Sequence, residues 1–133
     1  MSIGADQPSQ TANHRKTALV EIRWSAPILT VRPAGPQIGQ RESPIVSEEV
    51  MPFLERAGKS LKIMILDLSD VTFMSSMGLG ICISFRNKAA ALGGKAILYG
   101  ASRDLLGLLS MMKIEKLYTI AKSEDELKKH LSQ

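Results

Sequence analysis

From Ala18 to Trp24 the chain alternates, with Val20, Ile22 and Trp24 set against Leu19, Glu21 and Arg23. Strict alternation predicts a half-buried strand. Pro27 interrupts it, and Ile28 to Val31 gives a second strand, so the pair predicts a hairpin. The stretch 33–44, rich in Pro and Gly, reads as a loop. A helix is expected over Ile45 to Arg56, with Ser47 and two acids at its start and Val50, Phe53, Leu54 and Ala57 on its apolar face. Pro52 must then begin that helix or kink it. Ile63 to Leu66 is a continuous apolar run and reads as a buried strand, followed by a short apolar patch, Val71 to Met74. The main helix runs from Gly78 to Leu92 with a wide apolar surface, and Gly93-Gly94 stops it. Lys95 to Tyr99 is a strand, Arg103 to Met112 a Leu/Met-rich helix, and Leu117 to Ile120 the last strand. Ser123 with Glu126 forms a capping box that opens a final helix, Glu124 to Leu131. Residues 1–16 are polar and lack periodicity, so they are expected to be a disordered tail before a single domain over 17–133. The order β-β-α-β-α-β-α-β-α predicts an α/β fold with a mixed, mostly parallel sheet.

Composition narrows the classes. A chain of 133 residues with 44% apolar residues makes one domain with a proper core. The net charge of +4 is spread among acids, which argues against nucleic-acid binding. The single cysteine, Cys82, excludes an intramolecular disulfide and sits in an apolar stretch, as a small core residue would. No run of about 18 apolar residues and no apolar leader occurs, so a soluble, cytoplasmic protein without membrane contact is expected.

The chemistry concentrates between Asp67 and Gly80. A strand delivers Ser75-Ser76 to the start of the main helix, where unpaired N–H groups and the helix dipole favour a hydroxyl or an anion. Ser75 alone could be an ordinary N-cap. Two adjacent serines followed by Gly-Leu-Gly ask for more. Asp67 and Asp70 could form a metal pair, but turn-capping by Asp67 and solvation of Asp70 are the simpler expectation. Gly78-x-Gly80 is too short for a nucleotide fingerprint, and neither a nucleophile elbow nor a His-Glu-x-x-His run is present. His14 is expected to be a solvated tail residue and His130 lies near the other end, so a Ser/His enzyme is not expected. Neither a cofactor nor a metal is. Trp24 suits the sheet end or core better than a partner surface.

DLSDVTFMSSMGLG (67–80) resembles the signature of STAS domains, especially bacterial anti-sigma factor antagonists. Asp67, Leu68, Ser69, Val71, Phe73, Met74, Ser76, Gly78, Leu79 and Gly80 match it, and the likeness runs on through Gly93-Gly94-Lys95. The resemblance implies a four- to five-stranded mixed sheet with about four helices mainly on one face. It implies a phosphoacceptor at Ser76 (less readily Ser75), a partner-binding turn of Met74, Ser75, Ser76, Met77, Gly78 and Leu79, and support from Asp67, Ser69 and Gly80. The implied partners are a kinase-type anti-sigma factor and a serine phosphatase, with the domain a monomer or weak homodimer. Transcription would be regulated by release of a sigma factor. Two positions depart from the signature. Ser75 stands where the family has Asp, and Met77 where it has Ser or Thr, so the carboxylate beside the acceptor is missing. The alternative is therefore a STAS scaffold, or a small-ligand or nucleotide sensor, that phosphorylation does not switch.

Overall fold

The computed structural model describes residues 13–132. The expected hairpin forms from β2 (Val20–Ser25) and β3 (Ile28–Pro33), with Val20 and Ile22 turned into the core. A strand precedes it. His14–Lys16 is β1, paired antiparallel with β2, where the polar pattern predicts tail. Charge pairing holds it in place of apolar burial. The His14 Nε2 lies 2.8 Å from a Glu21 carboxylate oxygen, and the Arg15 guanidinium makes a two-point pair with Glu49. His14 is therefore half-buried and partnered, and not a solvated tail residue. Residues 1–12 of the predicted tail lie outside the described residues.

The remaining strands are β4 (Gln37–Ile38), β5 (Ile63–Asp67), β6 (Phe73–Met74), β7 (Lys95–Tyr99) and β8 (Thr119–Ala121). The main sheet has six strands, in the order β1-β2-β3-β5-β7-β8. Pairs β1–β2 and β2–β3 are antiparallel, and the other three pairs are parallel. β1 takes the sheet beyond the expected four to five strands. Register puts Leu29 beside Met64, Val31 beside Leu66, and Leu66 beside Leu98, so one face carries a continuous apolar layer.

Four helices follow: α1 (Glu42–Ala57), α2 (Ser76–Ala91), α3 (Arg103–Met111) and α4 (Glu124–Leu131). α1 lies on β2 and β3, and α2 lies on β5, β7 and α1. Val50, Phe53 and Leu54 from α1 and Leu79, Cys82 and Phe85 from α2 meet the apolar layer of the sheet. Burial of each Leu- or Phe-sized side chain is worth about 1.5–3 kcal/mol. Ile65, Ile97 and Ala121 are also buried but lie outside that core. Strand alternation places them on the opposite face. α4 packs on β8, and its half-buried Leu127 and Leu131 also stand outside the main core, so α4 covers part of this second face.

α1 starts at Glu42, not near Ser47. A Glu42 carboxylate oxygen accepts the Gly39 N–H at 2.8 Å, and the buried Ser43 hydroxyl donates to the Gly39 carbonyl at 2.6 Å. Pro44 falls in the first turn, where a missing N–H breaks no helical bond. Pro52 sits inside the helix. It deprives the Glu48 carbonyl of its helical partner, but the buried face from Val46 to Ala57 carries the helix through. At the far end of the molecule, the Tyr118 hydroxyl donates to the Cys82 carbonyl at 2.6 Å, and Arg86 Nε donates to the Leu117 carbonyl at 3.1 Å. These two bonds pin the segment before β8 to α2.

Candidate functional site

β5 ends at Asp67, whose carboxylate closes a turn by accepting both the Ser69 N–H (2.9 Å) and the Ser69 hydroxyl (2.5 Å). This is an Asx turn, a local substitute for a backbone turn. Gly100 presses on it with φ +80°; a Cβ there would lie 2.2 Å from Ser69 Oγ. Asp67 and Ser69 thus form the turn that ends β5. Asp70 is not merely solvated, because it takes a two-point bond from Arg32 at 3.0 and 3.2 Å. That bond holds the Asp70 carboxyl below its ordinary range. Among the described residues, no group of three His, Cys, Asp or Glu side chains gathers in a way that could hold a metal.

Beyond Asp70 the chain is clasped by the loop before α1. The Thr72 N–H and hydroxyl both donate to the Pro36 carbonyl, at 2.6 and 3.0 Å. β4 and β6 pair in parallel as a separate two-stranded sheet, and the Ser75 N–H donates to the Ile38 carbonyl at 3.0 Å. The short β6 alternates, with Met74 buried inward and Phe73 53% exposed. α2 begins immediately afterwards. Ser75 is its N-cap and its Oγ accepts the Gly78 N–H at 3.3 Å. Ser76 is the first helical residue, and it is exposed.

The six residues expected to meet a partner therefore divide. Ser75 is half-buried and engaged as a cap, while Ser76 and Met77 are exposed. Met74, Gly78 and Leu79 face inward, against the expectation of a wholly exposed turn. Met74 sits under the helix start, its Sδ 3.7 Å from the Cys82 thiol. Gly78 is required by space, since a Cβ would lie 2.4 Å from the Ile38 carbonyl oxygen. Gly80 differs: a Cβ there meets nothing within 4 Å. Cys82 is not a candidate nucleophile, because burial pushes its thiol up to about 12.

Two residues join the site that the sequence did not assign to it. Gln40 lines a shallow hollow with Ser75, Ser76 and Met77. It arrives through the β4–β6 clasp, which two-residue strands do not announce in sequence. Phe73 supplies exposed apolar surface beside the serines. Period-two alternation from the buried Val71 would turn Phe73 inward, but burial over 71–74 runs buried, exposed, exposed, buried, so alternation does not find it.

The electrostatics single out this helix start. The first turn of α2 carries no acidic residue, whereas α1, α3 and α4 have Glu42, Asp104 and the trio Glu124, Asp125 and Glu126 in theirs. The partial positive charge at the head of α2 is thus not offset by a carboxylate within its own first turn.

Solved structures share this architecture. An anti-sigma factor antagonist (STAS) domain protein from Planctomyces limnophilus superposes with a TM-score of 0.75 at 14% identity, covering 86% of this chain and 98% of that one. The anti-sigma factor antagonist SpoIIAA in its unphosphorylated form gives 0.70 at 13% identity, over 86% of this chain and 97% of that one. The murine anion transporter Slc26a9 gives 0.67 at 15% identity, over 92% of this chain but 22% of the transporter. At such identities the likeness is one of fold. Comparison with curated proteins brings up no match. The STAS domain pattern matches residues 19–127, and the chain belongs to the STAS domain family.

Proposed function

We propose that this protein is an anti-sigma factor antagonist that docks on a kinase-type anti-sigma factor through the head of α2 and is released when Ser76 is phosphorylated. The observation that carries this reading is the position of Ser76. Its side chain is exposed at the first residue of a helix whose opening turn lacks a carboxylate. Ser75 is the poorer acceptor, because its oxygen is engaged with the Gly78 N–H. A phosphate on Ser76 adds about −1.5 to −2 charges at neutral pH. Inside the domain that charge sits in the favourable field of the helix end, worth about 0.3–1 kcal/mol. Across a close interface the same charge brings desolvation and repulsion. The domain therefore tolerates the modification and the complex does not. Each 1.4 kcal/mol of this difference changes affinity about tenfold. Exposed Phe73 and Met77 flank the acceptor and supply apolar area for docking. A serine phosphatase resets the switch.

The test is incubation with the bound kinase and ATP, followed by mass spectrometry. The wild type gains one phosphate, Ser75→Ala gains one, and Ser76→Ala gains none. Phosphate that persists in Ser76→Ala removes Ser76 from the mechanism. A second reading rests on the neutral cap: with Ser75 in place of a carboxylate, a kinase that needs that charge would pass the turn by. The domain would then be an unswitched scaffold. In that case Ser76→Asp leaves partner affinity unchanged, whereas the switch requires a loss of tenfold or more.

A further inference from the structure

At the opposite end of α2 the structure gathers a second group of charges. Arg86 and Ala90 of the helix, Lys95 and Ala96 of β7, and Lys116 to Thr119 ahead of and within β8 enclose a hollow of about 230 Å³. Three cations, Arg86, Lys95 and Lys116, line it, and no carboxylate does. Four basic residues elsewhere are paired with acids, Arg15 with Glu49, Arg23 with Glu21, Arg32 with Asp70 and Lys88 with Glu55; what marks this hollow is that three cations share it without a carboxylate. Among the described residues no ion pair involves Arg86, Lys95 or Lys116.

Arg86 is also held in place. Its Nε donates to the Leu117 carbonyl at 3.1 Å and one terminal nitrogen donates to Asn87 Oδ1 at 3.3 Å, which leaves the second terminal nitrogen free. The guanidinium is thus fixed beforehand and need not be ordered when a ligand arrives. The end of α2 is the negative end of its dipole and disfavours an anion, an effect tempered where Ala89 accepts from Gly94 at 2.8 Å and Ala90 from Gly93 at 3.0 Å. Thr119, half-buried at the rim, adds a hydroxyl.

We propose that this hollow between α2, β7 and β8 is a binding site for a phosphate-bearing small anion, held by Arg86, Lys95 and Lys116. A fixed guanidinium supplies direction, and two mobile ammonium groups supply charge. Three converging cations suit a group with more than one negative charge, so a polyphosphate binds better than inorganic phosphate. The site lies at the other end of α2 from Ser76, and its existence does not depend on the phosphorylation switch.

The experiment is titration of isotope-labelled protein with inorganic phosphate, pyrophosphate, triphosphate and ATP, followed by amide chemical shifts at low and high salt. Saturable shifts are expected at Arg86, Lys95 and Lys116 to Thr119. Pyrophosphate should bind more tightly than phosphate, and salt should weaken both. Lys116→Glu, at an exposed position, should reduce affinity tenfold or more, and Lys95→Gln should give a smaller loss with the fold intact. Triphosphate and ATP of equal affinity support recognition of phosphate alone. ATP binding without triphosphate binding overturns it, because the base would then carry recognition. Shifts that do not saturate, that map to the head of α2, or that persist in both variants also overturn it.

Discussion

The heads of α2 and α4 use the same cap and are otherwise opposites. Ser123 accepts the Glu126 N–H at 3.1 Å, and Glu126 reaches back to accept the Lys122 N–H at 2.9 Å, one residue earlier than the reciprocal bond usually falls. Three acids fill the first turn of α4, and none of its residues is fully buried. α2 has a lone hydroxyl cap and no acid, yet it buries Gly78, Leu79, Cys82, Phe85 and Ala89. α4 is thus stabilised by local chemistry at its own end, and α2 by what it packs against. A helix anchored by burial can leave its charged end unanswered. That frees the head of α2 to meet a charge brought from outside.

Substitutions can break this contrast, beginning with the largest effect. Gly78→Ala drives a methyl group into the Ile38 carbonyl and should destabilise the domain by about 2–3 kcal/mol in urea unfolding. An unchanged midpoint would mean that the β4–β6 clasp yields freely. Removal of the two caps should separate the helices. Ser75→Ala should lower global stability by about 1 kcal/mol, because α2 belongs to the core. Ser123→Ala should show chiefly as faster amide exchange within α4, with little change in the urea midpoint. Gly80→Ala meets open space within a helix and should gain about 0.5–1 kcal/mol. If the domain docks as proposed, the same added methyl should weaken partner binding, separating stability from function at one position. Ser75→Asp supplies an acid to the head of α2 and should add about 0.3–1 kcal/mol, more at low salt than at high. The smallest effect concerns Asp70. Its bond from Arg32 lowers the folded-state pKa, so its stabilisation is present at neutral pH and fades as pH falls through the carboxylate range. Asp70→Asn should make urea stability less steep between about pH 5 and 3, without altering the head of α2.

Much of this was legible because burial writes a period into sequence. The alternation of β2, the apolar runs of β5 and β7, and the wide face of α2 each sit on the core and each declare themselves. So does the Ser123–Glu126 spacing, since capping is local. β1 left no such mark: its three residues are polar, and His14 and Arg15 are held by Glu21 and Glu49, partners that periodicity does not report. The start of α1 was missed for a related reason, because Glu42 and Ser43 cap it through Gly39, inside what reads as a Pro/Gly loop. At the site, the strand-turn-helix and its serines were visible in the residue order. Which side chains face outward was not. Met74 and Leu79 look like Met77 in sequence; pairing with β4 seats Met74, and the core-facing side of α2 takes Leu79.

Trp24 is the only tryptophan in the chain, and it shares a hollow with Phe53, Arg56 and Ala57. That hollow lies toward the end of α1, roughly 16 Å along the helix axis from Glu42 at the 1.5 Å rise per residue. The molecule therefore carries a built-in optical probe of whether its first helix still rests on the hairpin. Its emission will follow unfolding while staying quiet when something lands on Ser76, so the two events can be read separately in one cuvette without attaching a dye.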